Sequence, residues 1–215
     1  MKKFLTCSEK ETEEIISKQS EGKNTSFLKS AHNLWFRFKN YDKQPPFCLF
    51  EYNEPVAMVF ATMSDRSKYI NLYEIVTLEG KEGNGFASEL WNHVMKEAHF
   101  QSMRRLKISC TPSSVSWHKR NGLIFWAVDP SGSLRSDQPL FPTVEQQLEF
   151  RESAVKDPSI ALPDAKVIDQ FKNEGYDSFG AKKKAQILEA IEIVKPYWLR
   201  DALFNQATLE QWITE

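Results

Sequence analysis

The stretch Tyr69-Ile70-Asn71-Leu72-Tyr73-Glu74-Ile75-Val76-Thr77-Leu78 is followed by Glu79-Gly80-Lys81-Glu82-Gly83-Asn84-Gly85 and then by Phe86-Ala87. Its first part is rich in β-branched and aromatic residues and reads as a strand. Beyond the glycines, residues 86–99 place Phe86, Ala87, Leu90, Trp91, Val94, Met95 and Ala98 on one helical stripe. Glu89, Asn92, His93, Lys96 and Glu97 fall opposite, so the segment reads as an amphipathic helix. Strand, glycine turn, helix is an order that binds phosphates. Backbone N–H groups unobstructed by side chains can point at an anion, and the helix N-terminus adds partial positive charge. No Gly-Lys-Ser/Thr follows, so this is not a Walker loop. Gly83-Asn84-Gly85 lacks the third glycine of a dinucleotide fingerprint and follows about the fourth strand instead of the first. A second reading is a plain tight turn whose glycines supply only positive φ.

Outward from this stretch, residues 2–6 read as a short strand and residues 8–19, with Ser8 as cap, as a helix. Residues 26–39 follow as a second helix, with Ser26 as cap and Phe27, Leu28, Ala31, Leu34, Trp35 and Phe38 at helical spacing. Pro45-Pro46 closes that unit. Phe47–Tyr52 and Val56–Met63 read as a hairpin across Asn53-Glu54-Pro55. Downstream, 104–110 alternates as a strand with Leu106, Ile108 and Cys110 on one face. Residues 113–121 read as a short helix ended by Gly122, and 123–128 as a buried strand. Residues 133–138 make a weak edge strand, because Pro139 and Pro142 suit only an edge or a loop. From Thr143 the pattern is helical, at 143–155, 164–173, 181–194 and 197–213. The implied organisation is a domain over 1–142 and a helical C-terminal extension over 143–215.

The chain has 215 residues, 41% of them hydrophobic, enough for one ordinary domain with an appendage. Its 28 Lys and Arg nearly balance 29 Asp and Glu, which argues against a general nucleic-acid binder. No window approaches the roughly 18 apolar residues of a membrane helix, and the basic N-terminus runs into Glu9-Lys10-Glu11 before a signal region develops. Cys7, Cys48 and Cys110 show no metal-type spacing, so no metal site is expected. They read as free thiols in a reducing, cytoplasmic compartment.

The order of elements and the turn motif resemble the Gcn5-related N-acetyltransferase (GNAT) superfamily over about residues 1–140. That family's signature is Arg/Gln-x-x-Gly-x-Gly/Ala at the head of the long helix. Gly80-Lys81-Glu82-Gly83-Asn84-Gly85 keeps both glycines but has Gly80 at the Arg/Gln position. A second match is Trp117-His118-Lys119-Arg120-Asn121-Gly122-Leu123, where His118 stands at the usual Tyr position. Thr111 and Ser114 replace the frequent upstream Asn and Ala. The resemblance implies an α+β fold with a mixed, largely antiparallel sheet flanked by helices. It implies an acyl-CoA-dependent N-acetyltransferase using acetyl-CoA as co-substrate. The diphosphate would lie on Gly80, Lys81, Gly83, Asn84, Gly85, Phe86 and Ala87. The carbonyl and pantetheine amides would meet backbone groups of Ile75, Val76, Thr77 and Leu78. Gly80 removes a donor near the diphosphate, which Lys81 either replaces or leaves unreplaced as a solvated turn lysine.

In such enzymes an amine attacks the thioester directly within a ternary complex. A lysine-like amine has a pKa near ~10.4, so about one in a thousand is neutral at physiological pH. A general base offsets that deficit of roughly 4 kcal/mol. Glu74 is the candidate base, because Ile70, Leu72, Glu74, Val76 and Leu78 share one face of an alternating strand and burial would raise its pKa. Alternatively a bulge turns Glu74 to solvent or to an ion pair. His118 is the candidate acid for the departing thiolate, an imidazole of near-neutral pKa able to donate or accept. Alternatively it merely packs the short helix.

The acceptor is an unspecified amine on a small molecule, peptide or protein. The aromatic second helix (Trp35, Phe36, Phe38) and the helical tail would shape an acceptor pocket or pack as core and homodimer surface. Arg104, Arg105, Lys107, Lys119 and Arg120 form a basic patch, the sole support for a nucleic-acid-modifying alternative. A catalytically degenerate binding or inhibitory module is the other alternative, suggested by Gly80.

Overall fold

The computed structural model describes residues 1–20, 25–42, 44–111, 114–125, 127–128, 133–157 and 160. They fall into two compact units, Met1–Arg104 and a second beginning at Arg105. The helices expected at 164–173, 181–194 and 197–213 lie outside the described residues.

The first unit runs β1 (Lys2–Thr6), α1 (Glu9–Ser20) and α2 (Thr25–Arg37), which widens into a π-helical turn over Phe38–Asp42. Then follow β2 (Phe47–Glu51), β3 (Glu54–Ser64), β4 (Tyr69–Thr77) and α3 (Phe86–Phe100). The four strands lie in the order β1-β2-β3-β4, every pair antiparallel. Ser8 opens α1 as one half of a reciprocal cap: its Oγ accepts from the Glu11 N–H, and the Glu11 carboxylate accepts from the Ser8 N–H at 2.8 Å. The β2–β3 turn is tighter than the sequence suggests. It consists of Tyr52 and Asn53, both at positive φ, the two-residue geometry that matches the twist of paired strands.

Strand β3 is buried from Val56 to Thr62, so both its faces are covered. On one face Met58 and Phe60 meet Ile15 and Ile16 of α1, Ala31 of α2 and Phe38. Helix α3 also packs on β2, β3 and β4 and takes the other face. It buries Phe86, Leu90, Trp91, Val94, Met95 and Ala98, the stripe read from the sequence save for half-buried Ala87. Each large apolar side chain so buried contributes about 1.5–3 kcal/mol.

Two of the cysteines are not free. Cys7 and Cys48 are joined as a disulfide across neighbouring chain segments, with Cα atoms 6.1 Å apart. The reason is register, which sequence spacing does not reveal. Leu5 and Thr6 pair with Cys48 and Phe47, and the Cys7 N–H donates to Pro46 O at 2.9 Å. Cys110 is a buried free thiol, pushed up to about 12 by desolvation, which makes it a core residue and not a nucleophile. No helix among the described residues is long and apolar enough to cross a membrane.

The second unit contains β5 (Arg105–Cys110), α4 (Val115–Arg120), β6 (Ala127–Val128), β7 (Leu134–Pro139) and α5 (Val144–Lys156). Here the strand order is β5-β7-β6, again antiparallel. This reverses two expectations. Strand β7 lies between β5 and β6, with Leu134 and Arg135 paired on both sides; Pro139 comes last in the strand and Pro142 lies beyond it. Leu123, Ile124 and Phe125 are buried but are not strand. Their backbone is held by the end of α4 and by a side chain instead: Leu123 N–H donates to His118 O, and Ile124 N–H to Gln138 Oε1 at 2.7 Å. Helix α5 is capped by Thr143 and presses Gln147 against Gly122, where a Cβ would lie 2.6 Å from the Gln147 carbonyl carbon.

Candidate functional site

The turn between β4 and α3 is built on three left-handed glycines. Gly80, Gly83 and Gly85 have φ of 77°, 80° and 75°, a region other residues enter at a cost. A Cβ at any of them would meet nothing within 4 Å, so the glycines do not answer to internal crowding and the hollow beside them is left open. Asn84 folds inward, its Nδ2 donating to the carbonyls of Lys81 and Glu82 at 3.1 and 3.2 Å. Gly85 is the N-cap of α3 and brings no side chain to cap with. The Glu89 N–H donates to Gly85 O, which leaves the amides of the first turn without intrahelical acceptors. N–H groups at the positive end of a fifteen-residue helix are of the kind that can seat an anion. Lys81 does not reach over that seat; its Nζ pairs with Glu54 at 3.0 Å.

Gln19 is a partner of this turn that the sequence does not disclose. It is buried at the end of α1, and its Oε1 accepts from the Glu79 N–H at 3.0 Å, which ties the start of the turn to the helix. A lone glutamine sixty positions upstream carries no pattern by which to find it.

Strand β4 contains a bulge. Phe60 pairs with Glu74 and Ala61 with Leu72, so Tyr73 is the extra residue. Paired residues share a face of the sheet. Glu74 therefore stands on the Phe60 side with Val76 and Leu78, while Ile70 and Leu72 turn to the opposite face. The single row expected through Ile70, Leu72, Glu74, Val76 and Leu78 is broken at the bulge. Glu74 is half-buried on the side covered by α1 and α2. Tyr73 packs there as well, edge-on to Phe38 at 5.8 Å, and its hydroxyl accepts from Arg37 Nη2 at 2.9 Å.

Past the bulge, the Leu78 N–H donates to Val56 O. Backbone groups alternate along an antiparallel strand. Val76 accordingly belongs to the β3 ladder, and the N–H and C=O of Ile75 and Thr77 point away from β3. Of the backbone groups expected to meet a pantetheine, those of Val76 and Leu78 are therefore taken up by β3, and those of Ile75 and Thr77 are not.

His118 lies in the second unit and is 5% exposed, edge-on to Trp117 and Phe125. Burial drives its pKa down to about 4. The near-neutral value expected from the sequence is thus overturned by desolvation, and the ring is uncharged at neutral pH. Its Nδ1 is buried with no hydrogen-bond partner among the described residues. In the same unit, Arg105 Nη2 and Lys107 Nζ converge on the buried Asp137 at 2.6 and 3.8 Å, so part of the basic patch is internally compensated. Among the described residues no cluster of His, Cys, Asp or Glu has the makings of a metal site.

The family model described as acetyltransferase (GNAT) family matches residues 11–123. No curated protein matches the chain at a significant level. Among solved structures, the fold is similar to that of a GNAT-family acetyltransferase from Desulfovibrio desulfuricans, with TM-score 0.55 and 10% identity over 66% of this chain and 100% of the other. It is also similar to the ribosomal-protein-S18-alanine N-acetyltransferase of Escherichia coli, with TM-score 0.54 and 10% identity over 65% and 94%. A third similar structure is the PaiA N-acetyltransferase of Thermoplasma acidophilum in complex with coenzyme A, with TM-score 0.50 and 9% identity over 65% and 99%.

Proposed function

Because this chain belongs to the acetyltransferase (GNAT) family, its model covering residues 11–123, we propose that it transfers an acetyl group from acetyl-CoA to an amine. The observation that carries this reading is the open glycine turn. Three left-handed glycines lead into a helix whose first amides have no intrahelical acceptors. Coenzyme A supplies an acyl group activated as a thioester. That the T. acidophilum structure holds coenzyme A on a similar fold supports the choice of donor.

Each residue then has a task. The amides of Gly83, Asn84, Gly85, Phe86 and Ala87 hold the diphosphate, and Gly80 leaves room beside it. Lys81 is committed to Glu54 and serves the turn's shape more than its charge. Ile75 and Thr77 offer backbone groups to the pantetheine arm, with the Val76 side chain sealing the core behind them. Glu74 takes a proton from the incoming ammonium, at the head of the segment that would orient the acyl group. The resemblance assigns the thiolate's proton donor to His118, whose pKa of about 4 makes it a neutral N–H donor at neutral pH and not an imidazolium acid. We read residues 1–142 as the acyl-CoA-binding body and 143–215 as its extension; the Cys7–Cys48 bond removes the free-thiol argument for a cytoplasmic compartment.

Calorimetry and thermal melting test the reading. Acetyl-CoA should raise the melting temperature as any ligand selective for the folded state does. No shift and no binding heat at millimolar acetyl-CoA would turn the assignment toward a non-catalytic module. Salt-sensitive binding to DNA or RNA would favour the nucleic-acid alternative, which the Arg105–Asp137 pairing already weakens.

A further inference from the structure

The head of α3 carries a conflict of charge. Its positive end is the proposed seat of the diphosphate, yet Glu89 lies in the first turn of the same helix. A carboxylate there gains from the dipole that would also attract a phosphate, and the two anions repel each other. The turn before the helix adds Glu79 and Glu82. Against these stands Lys81, already paired with Glu54 at 3.0 Å, while Gly80 occupies the position of the signature's Arg or Gln. Left to its own sequence, the segment is poor ground for an anion.

A cation from another part of the chain changes this. Lys2 of β1 places its Nζ 2.5 Å from Glu89 Oε2 and over the Phe86 ring, 5.3 Å from the centroid. Phe86 opens α3, and its amide is one of those assigned above to the diphosphate. The hydrogen bond to Glu89 raises the Lys2 pKa above its ordinary value, with the charges of Glu89 and Glu51 adding to the effect, so the ammonium persists at neutral pH. Among the described residues Lys2 is the only ion-pair partner of Glu89. Strand pairing holds it there: Lys2 stands opposite Glu51, and Phe4, on the same face, stacks on His93 of α3 at 4.2 Å. Ion pairs this exposed contribute little to stability, so stability does not account for the pairing.

Resting on the proposed acetyltransferase reading, we propose that Lys2 neutralises Glu89 and thereby admits the diphosphate of coenzyme A to the head of α3. Lys2 is then a positioning residue. It acts through Glu89 and does not itself touch the ligand.

Calorimetry of the full chain with coenzyme A tests this through a pair of substitutions and a control. Lys2→Met should weaken binding about fivefold or more at low salt, the effect of one bared charge about a helical turn from a dianion. Glu89→Gln should bind as tightly as the unaltered protein or more tightly. The double variant should return to within about twofold of it. Lys3→Met, which removes the same charge from the other face of β1, where Lys3 bonds Asn53 at 3.1 Å, should bind normally. Dephospho-coenzyme A, which keeps the diphosphate and lacks the 3′-phosphate, should lose the same factor in Lys2→Met. At about 1 M salt, where charges beyond about 3 Å are screened, the differences should vanish. Thermal melting checks that each variant is folded, and Lys2→Gln replaces any Lys2→Met that is not. Unchanged affinity in the Lys2 variant would overturn the proposal, as would an equal loss in Lys3→Met. A loss persisting in the double variant would make Lys2 a direct ligand instead, and a loss seen only with the 3′-phosphate present would move it off the diphosphate; either overturns it. Failure of coenzyme A to bind the unaltered protein would sink the acetyltransferase reading itself.

Discussion

Phe60 of β3 stands opposite Glu74 of β4, while the next residue, Ala61, stands opposite Leu72. One inserted residue, Tyr73, moves a carboxylate from the row of Ile70 and Leu72 to the face covered by α1 and α2. The proposed base owes its place to that bulge. Glu74→Gln should lower kcat by about a hundredfold or more, the usual scale of general-base loss, and leave acetyl-CoA affinity intact. Stopped assays across pH would check it: the alkaline activity of the variant should recover as the amine deprotonates by itself. An undiminished kcat at neutral pH would release Glu74 from the role.

Gly83 and Gly85 address the turn directly. Gly83→Asp places a carboxylate where a diphosphate would lie, and like charges at about 4 Å repel by several kcal/mol in a partly screened site. Affinity for acetyl-CoA should fall at least a hundredfold. Gly85→Ala meets no atom within 4 Å, so only its left-handed φ is strained and about 1–2 kcal/mol of stability should be lost. Calorimetry read beside denaturant unfolding separates the two effects. Normal affinity in Gly83→Asp would remove the diphosphate from this turn.

His118 gives a pH dependence with a definite sign. Its folded pKa is lowered to about 4 by burial from an ordinary 6.5. The unfolded chain therefore binds the extra proton first, and stability contributed by the neutral ring is complete above pH 6.5. It is lost as pH falls toward 4, by on the order of 3 kcal/mol for a shift of this size. His118→Gln should flatten that acid limb in urea melts taken from pH 7 to pH 4. An equally steep limb would show that the ring is not buried uncharged.

The Cys7–Cys48 bond closes a loop across forty-one positions. Chain-entropy arguments give a cross-link of that span about 4 kcal/mol as an upper figure. Under non-reducing conditions the intact mass should be lower by two hydrogens than after reduction. Reduction or Cys48→Ala should lower the melting temperature. Three free thiols in the protein purified without reductant would show that the sulfurs lie adjacent but unbonded.

Most secondary structure was readable because it depends on local periodicity. The α3 stripe, the glycine signature and the β-branched run of β4 each repeat within a few residues, and the chain's membership of the acetyltransferase (GNAT) family follows from the same stretch. The sequence reads 133–138 as an edge strand because a proline signals a missing donor without saying whether it ends the strand or follows it; in the fold Pro139 is the last residue of β7. The buried segment 123–125 looked like strand because apolar content does not reveal that a distant Gln138 amide replaces the ladder.

What the sequence determined by itself was the glycine turn at the head of a helix and the class of fold around it. Glycine at left-handed φ and amides at a helix head are properties of neighbours in the chain. Tertiary structure alone decided the electrostatics. Register brought Cys7 to Cys48 and put Glu74 on the helix-covered face. Packing set Arg37 on Tyr73 and stripped the water from His118. Each of these pairs partners far apart in sequence, or depends on solvent excluded by the whole core, and no local pattern encodes either.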